Sequence, residues 1–263
     1  MTATQFQLEG VFNPAVLEAV RQFWFKDMEE EHFMLPPQEA SMRWFRRNEE
    51  FDKACFDNFR EQLEAAKSEH VSAADIITAA QPSTPLDWLS LILFLDQIPR
   101  NVFRDAQAKT VFTVTDPKAL EVAQRAIEAG IPEHPQIRFR LAYRFWFYLP
   151  LEHSEDLAVQ ETSISEHEKM FSDIRRLLDA TNNVNLHKEA QKCRDTLLPK
   201  REAVERFCGM LMGIVKQHKN IIDRFGRYPH RNEPLGRQMT DEEKKYLDDG
   251  GETFGSKKVE NNA

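Results

Sequence analysis

Histidines, carboxylates and arginines stand where an otherwise apolar helical pattern breaks. The stretch LDQIPRN places Asp96, Gln97, Arg100 and Asn101 at the end of the most apolar run of the chain, WLSLILFL. The stretch PLEHSEDLAVQ brings His153, Glu155, Asp156 and Gln160. His153, Asp156 and Gln160 are spaced i, i+3 and i+7, which puts them on one face if a helix starts that early. The segment RFGRYPHRNEPLGR, 224–237, packs four arginines, one histidine, two prolines and two glycines into fourteen positions. Its prolines fix φ and its glycines permit turns, so Arg227, His230, Arg231 and Asn232 sit on a stiffened backbone. Arginines take carboxylate or phosphate groups in bidentate fashion, and an imidazole beside a carboxylate can move a proton near neutral pH. His230, His153 and Asp156 are therefore the candidate acid–base groups. Arg227, Arg231, Asn232, Arg100, Asp96, Gln97 and Gln160 are the candidate ligand-binding groups. His230 is expected to approach Asp156 and face a ligand. His218 continues the stripe of Leu211, Val215 and Ile222, and is expected to be buried on a fixed partner.

Each cluster also has a plain structural reading. Asp96 and Arg100 can be a buried pair that fixes registry. Ser154 can cap a helix whose first turn favours Glu155 and Asp156. The arginines and acids together can be a polar network closing a bundle. His153, His218 and His230 form no short ligand pair and are crowded by arginine, so no metal is expected. No nucleophile elbow, phosphate loop or dinucleotide fingerprint is present, no cofactor is implied, and whether the chain is an enzyme stays open.

The elements that must position these groups read as helix after helix. Asn13-Pro14, Thr84-Pro85 and Asp116-Pro117 look like cap-plus-proline starts, and Thr240 with Glu243 looks like a capping box. Phe51, Cys55, Phe59 and Leu63 step by four. Helices are expected from Asn13, over the run ending at Pro99, from Asp116 to Gly130, over 136–148, from Glu155 to Leu178, and over 200–225. TVFTVT, 110–115, is the one β-like run. The expectation is an all-α array of eight to ten helices, antiparallel neighbours joined by short loops, with no repeat of fixed period. One helical domain spans 1–250. Residues 181–200 read as an insertion or mobile connection, and 251–263 as a partly disordered tail.

Across 263 residues, 41% are apolar and 30% charged, which is a globular balance. A net charge of −8 argues against nucleic-acid and anionic-membrane surfaces. Cys55, Cys193 and Cys208 lack disulfide or metal spacing, and MTATQFQLEG shows no secretory leader, so a cytoplasmic location is expected.

The ordered set FWF, RWF…FD, LDQIPRNVFR, DPKAL, LPLEHSEDLAVQ and HKNIIDRFGRYPHRNEPLGR, from about Phe23 to Phe254, resembles domain of unknown function family 924. The resemblance implies a tetratricopeptide-like helical fold and carries no established activity. The departure is the stretch around 181–200, which looks like an insertion relative to compact bacterial members. Two functions remain. One is a polar pocket that binds, and with its histidines could transform, an anionic or carbonyl-bearing small molecule. The other is a helical interaction module whose arginines are structural or clamp a peptide carboxylate. The oligomeric state is not legible.

Overall fold

The Asn13 side chain accepts from the Ala15 and Val16 amides, and Pro14 sits where no donor is needed, so α1 runs Pro14–Trp24. The computed structural model describes residues 8–180 and 186–255, and among them there is no strand. The other helices of eight residues or more are α2 (Gln38–Phe45), α3 (Glu49–Ala66), α4 (Ala73–Ala80), α5 (Pro85–Ile92), α6 (Asp116–Glu128), α7 (Leu157–Asp179), α8 (Lys188–Leu197), α9 (Arg201–Phe225) and α10 (Asp241–Asp248). The fold is all-α. Reciprocal capping boxes open α4, α5 and α10 through Ser72/Asp75, Thr84/Asp87 and Thr240/Glu243.

The apolar run does not end at Pro99. Leu93–Gln97 widen into a π turn, with the Ile98 amide on the Leu93 carbonyl, and Ile98–Val102 return to α geometry. Proline lacks an N–H and its ring crowds the carbonyl four residues back, so a wider turn just before it accommodates both defects. The run 110–115 repeats the device and is not β. Val111–Thr115 form a second π turn, with the Asp116 amide on the Val111 carbonyl, ahead of Pro117. Asp116 is therefore a helical residue and not a cap, which leaves its carboxylate for other partners.

Other boundaries differ as well. The helix expected over 136–148 is only Leu141–Arg144 followed by a 3-10 turn at Phe145–Phe147, and a separate short helix, Leu149–Glu152, comes after it. Within 181–200, residues 181–185 lie outside the described residues. From Lys188 onward the stretch is helical, and it sends Cys193 and Leu197 into the core. Within the expected tail, Phe254 packs on His218 and Tyr228, and residues 256–263 lie outside the described residues.

A large core extends from Leu8 to Leu211 around Trp24, Phe94 and Trp146. α1 and α6 both pack on α5, and α7 lies along α9. That last pair is antiparallel: Arg175 meets Glu205 at one end, and Glu155 meets the Tyr228 amide beyond the other. A second, small apolar cluster of Ile221, Ile222 and Tyr228 gathers Phe225, Tyr246 and Phe254 at the far end of α9. No described helix is long and apolar enough to cross a membrane.

Gly226 stops α9 with φ 67°, its amide on the Ile222 carbonyl, and so sets the direction of the arginine segment. A Cβ there would meet nothing within 4 Å. Gly226→Ala should therefore cost backbone strain alone, about 1–2 kcal/mol, read as a lower urea midpoint with unchanged m-value.

Candidate functional site

The two π turns each deliver one acid to the same guanidinium. Asp96, 1% exposed, accepts from Gln97 Nε2 at 2.6 Å and from Arg100 Nη2 at 3.3 Å. Arg100 Nη2 also donates to Asp116 Oδ1 at 2.6 Å. His153, which follows the short helix Leu149–Glu152, places Nδ1 2.7 Å from Asp96 Oδ1. Burial works against the Asp96 charge, but the neighbouring His153 and Arg100 and the hydrogen bonds from His153 and Gln97 outweigh it and hold this carboxyl below the usual range. Burial first, then Arg100, keeps the His153 ring neutral against the pull of Asp96. With that ring neutral, Arg100 and the donated hydrogen bonds keep Asp96 ionised. An ionised carboxylate only accepts, so His153 Nδ1 carries the proton and Nε2 keeps its lone pair. This is the geometry of an oriented base.

The arginines of 224–237 divide sharply. Arg224 Nε donates to Glu242 at 2.9 Å, and Arg227 grips both oxygens of Glu243 at 2.6 and 2.8 Å. Arg237 Nη1 donates to Glu155 Oε2 at 2.8 Å. These three tie the segment to α10 and to the start of α7. Arg231 has no such partner. It is 5% exposed, its nearest acid is Asp116 Oδ2 at 3.7 Å, and its Nε is buried without a hydrogen bond. Its guanidinium lies over the rings of Phe112 and Tyr228, at 4.5 and 4.6 Å from their centroids. Burial lowers its pKa, Asp116 opposes that, and the repulsion of Arg100 adds to it.

His230 completes this edge. Its ring packs on Tyr228 and Phe112, its Nδ1 is buried without a partner, and burial followed by Arg231 and Arg100 pushes its pKa down to about 3. Asn232 beside it is fully buried.

Behind His153 lies Glu152, 3% exposed. Burial, then the negative charge of Asp96, raises its carboxyl well above the usual range and favours its protonated form. Its oxygens stand 3.3 Å from His218 Nδ1 and 3.5 Å from His167 Nε2. His218 Nδ1 donates to the Ile214 carbonyl at 3.0 Å, the fixed partner expected for it, and His167 Nδ1 donates to the Ser163 carbonyl at 2.9 Å.

Asp96, Gln97, Arg100 and His153 thus meet, with Arg231 joined through Asp116 and His230 close by. Asp156 does not join them. α7 begins at Leu157, so residues 153, 156 and 160 share no helical face, and Asp156 is spent as the cap, accepting from the Ala158 and Val159 amides. The expected His230–Asp156 pair is absent, and His153–Asp96 takes that form. Arg227 belongs to the clamp on Glu243. Gln160 is buried but serves the fold, donating to the Glu152 and Ser154 carbonyls at 2.7 Å and to Tyr228 Oη at 2.9 Å. Sequence reasoning missed Asp116, Phe112, Glu152, Tyr228 and Phe254. An acid directly after the apolar LPL was the available signal for Glu152.

A cleft of about 420 Å³ lies elsewhere, lined by Asp52, Phe56, Lys67, Asn101 and Phe103 among others, and includes none of the histidines. Among the described residues no group of three or more His, Cys, Asp or Glu is placed to hold a metal ion.

The chain is similar to a solved structure, a protein of unknown function from Agrobacterium tumefaciens. Identity is 26%, the TM-score is 0.58, and the match covers 90% of this chain and 98% of that one. No curated protein matches it. The family described as bacterial protein of unknown function, DUF924, matches residues 20–251, and the chain belongs to that family.

Proposed function

We propose that this member of the DUF924 family binds a small molecule through a carboxylate, phosphate or carbonyl group at Arg231, beside the Asp96–His153 pair. The observation that carries the reading is the contrast among four arginines of one segment. Three hold carboxylates by hydrogen bonds, while Arg231, the most buried, holds none. A buried cation without a hydrogen-bonded acceptor is costly, and an anionic ligand group supplies the missing acceptor. Near-complete burial of Arg231 suits a small enclosed ligand better than an extended peptide. His153 Nε2 could then accept a proton from the bound molecule, with Asp96 stabilising the imidazolium that forms.

The test begins with native mass spectrometry of the purified full chain, looking for a retained anion. It continues by titrating inorganic phosphate and acetate against the wild type, Arg231→Gln and Arg227→Gln. Losing charge-assisted hydrogen bonds should weaken anion binding about 10- to 100-fold in Arg231→Gln. Arg227→Gln should leave binding intact and lower stability. Equal binding by the wild type and Arg231→Gln, or none by either, would remove the proposal.

A further inference from the structure

The polar cluster is covered by the chain itself. Phe254 stacks on His218, with ring centroids 3.6 Å apart and planes 11° from parallel. It also packs edge-on against Tyr228 at 5.9 Å and against His230 at 6.1 Å. Two features show that this placement is held rather than relaxed. Phe254 has φ 49°, a left-handed conformation that costs a phenylalanine. Nearly superposed, parallel rings are also a poorer arrangement than offset or edge-to-face ones.

The holding groups are identifiable. Glu252 Oε1 accepts from the Thr253 amide at 3.0 Å and the Phe254 amide at 2.8 Å, and Tyr246 Oη accepts from the Glu252 amide at 2.8 Å. Gly251 lies so close to the Tyr246 ring that a Cβ would come within 2.5 Å of it. Gly250 and Gly255, at φ 85° and 83°, bracket the segment with residues that can change backbone conformation freely.

We propose that residues 251–255 form a hinged cover, with Phe254 the part that shuts the histidine face of the cluster and Gly250 and Gly255 the points on which it opens. The identity of what enters rests on the anion reading above. The motion does not.

The experiment uses the full chain and diethyl pyrocarbonate, a probe of accessible neutral imidazole, with labelling followed residue by residue by peptide mass spectrometry at pH 7. In Phe254→Ala, His218 and His230 should be modified about tenfold faster, the order expected from losing one packed aromatic contact. His167, fully buried and not in contact with Phe254, should keep its wild-type rate. Gly251→Ala keeps the phenylalanine but forces the segment off Tyr246, and should give the same pattern. Unchanged labelling of His218 and His230 in both variants, or a rise shared by His167, would overturn the cover. Labelling needs no ligand, so a failure of phosphate to bind at Arg231 would leave this result standing.

Discussion

Arg100→Ala is expected to lower the melting temperature by roughly 6–12 °C, given about 2–4 °C per kcal/mol for a chain of this size. One nitrogen of Arg100 serves both Asp96 and Asp116, whose side chains are 1% and 9% exposed. Its removal leaves Asp96 to Gln97 and His153 alone and Asp116 to the more distant Arg231, so two buried carboxylates lose their main cation. Breaking a buried pair costs about 3–5 kcal/mol, and about 3 applies here because the Arg100 side chain keeps 23% exposure and some solvent screening. Arg231→Ala should cost less than half as much. It leaves the Arg100–Asp116 bond intact and relieves the repulsion between the two guanidinium groups. Thermal melts of the two variants side by side decide the matter. Losses within experimental error of each other would make Arg231 a structural residue and sink the anion reading.

The second large effect is acid sensitivity. His167 is pushed down to about 4, and His218 and His230 to about 3, in each case mainly by burial. Folded values below the ordinary histidine value mean that the unfolded chain takes up protons first. Their contribution is whole above about pH 6.5 and is lost as the pH falls towards the folded values. Glu152 acts in the opposite sense. Its raised folded value favours the native state below the ordinary carboxyl range, and that contribution is lost as the pH rises through the folded value. Below about pH 6.5 the unfolded chain therefore gains these three histidine protons and one on His153, whose value is also lowered by burial, while the raised value of Glu152 offsets part of the difference. Stability should fall as the pH drops, by about 1.4 kcal/mol per pH unit for each net proton. His230, the most exposed of the three histidines, should contribute the least. Urea melts at pH 7, 6 and 5 measure the slope, and His218→Gln should flatten it by about one proton. A urea midpoint that stays constant from pH 7 to 5 would contradict the assignment of these imidazoles as buried and neutral.

The helices that carry the site were legible because their starts and stops are local chemistry. Asn13-Pro14, the Thr84 and Thr240 boxes and Gly130 act as their residue types dictate. The pairing of Asp96 with Arg100 was legible for the same reason: an acid and an arginine four apart at the end of an apolar run must find partners. What local pattern could not show was the π geometry. TVFTVT has the composition of a strand and Asp116-Pro117 the form of a cap, yet a proline met inside a packed helix is accommodated by a wider turn. That single misreading hid Asp116, the acid that links Arg100 to Arg231. Asp156 was misassigned because a face shared with His153 needs the helix four residues earlier than its start at Leu157, more than the ordinary drift of helix ends, and Asp156 is the cap instead. Arg227 and Arg231 are four residues apart in one stiff loop. Only the positions of Glu243 and Asp116, contributed by distant segments, tell the clamp from the arginine whose acid stands 3.7 Å away without a hydrogen bond.

The π turns also bear on how this sequence tolerates insertion and deletion. A π turn is a regular helix carrying one surplus residue, and each residue of an α-helix turns the chain by about 100°. Because the wider turn absorbs that residue, the helix beyond it continues in nearly the frame of an unbroken α-helix, and deleting one residue from Leu93–Gln97 would leave later side chains close to their present direction. The ring of Pro99 would instead press on a carbonyl with no slack to receive it. Deletion there should act on the backbone around Pro99 and on the aim of Asp96 within the turn, while leaving the helices beyond it in place. The site depends on that surplus residue as much as on the side chains it aims.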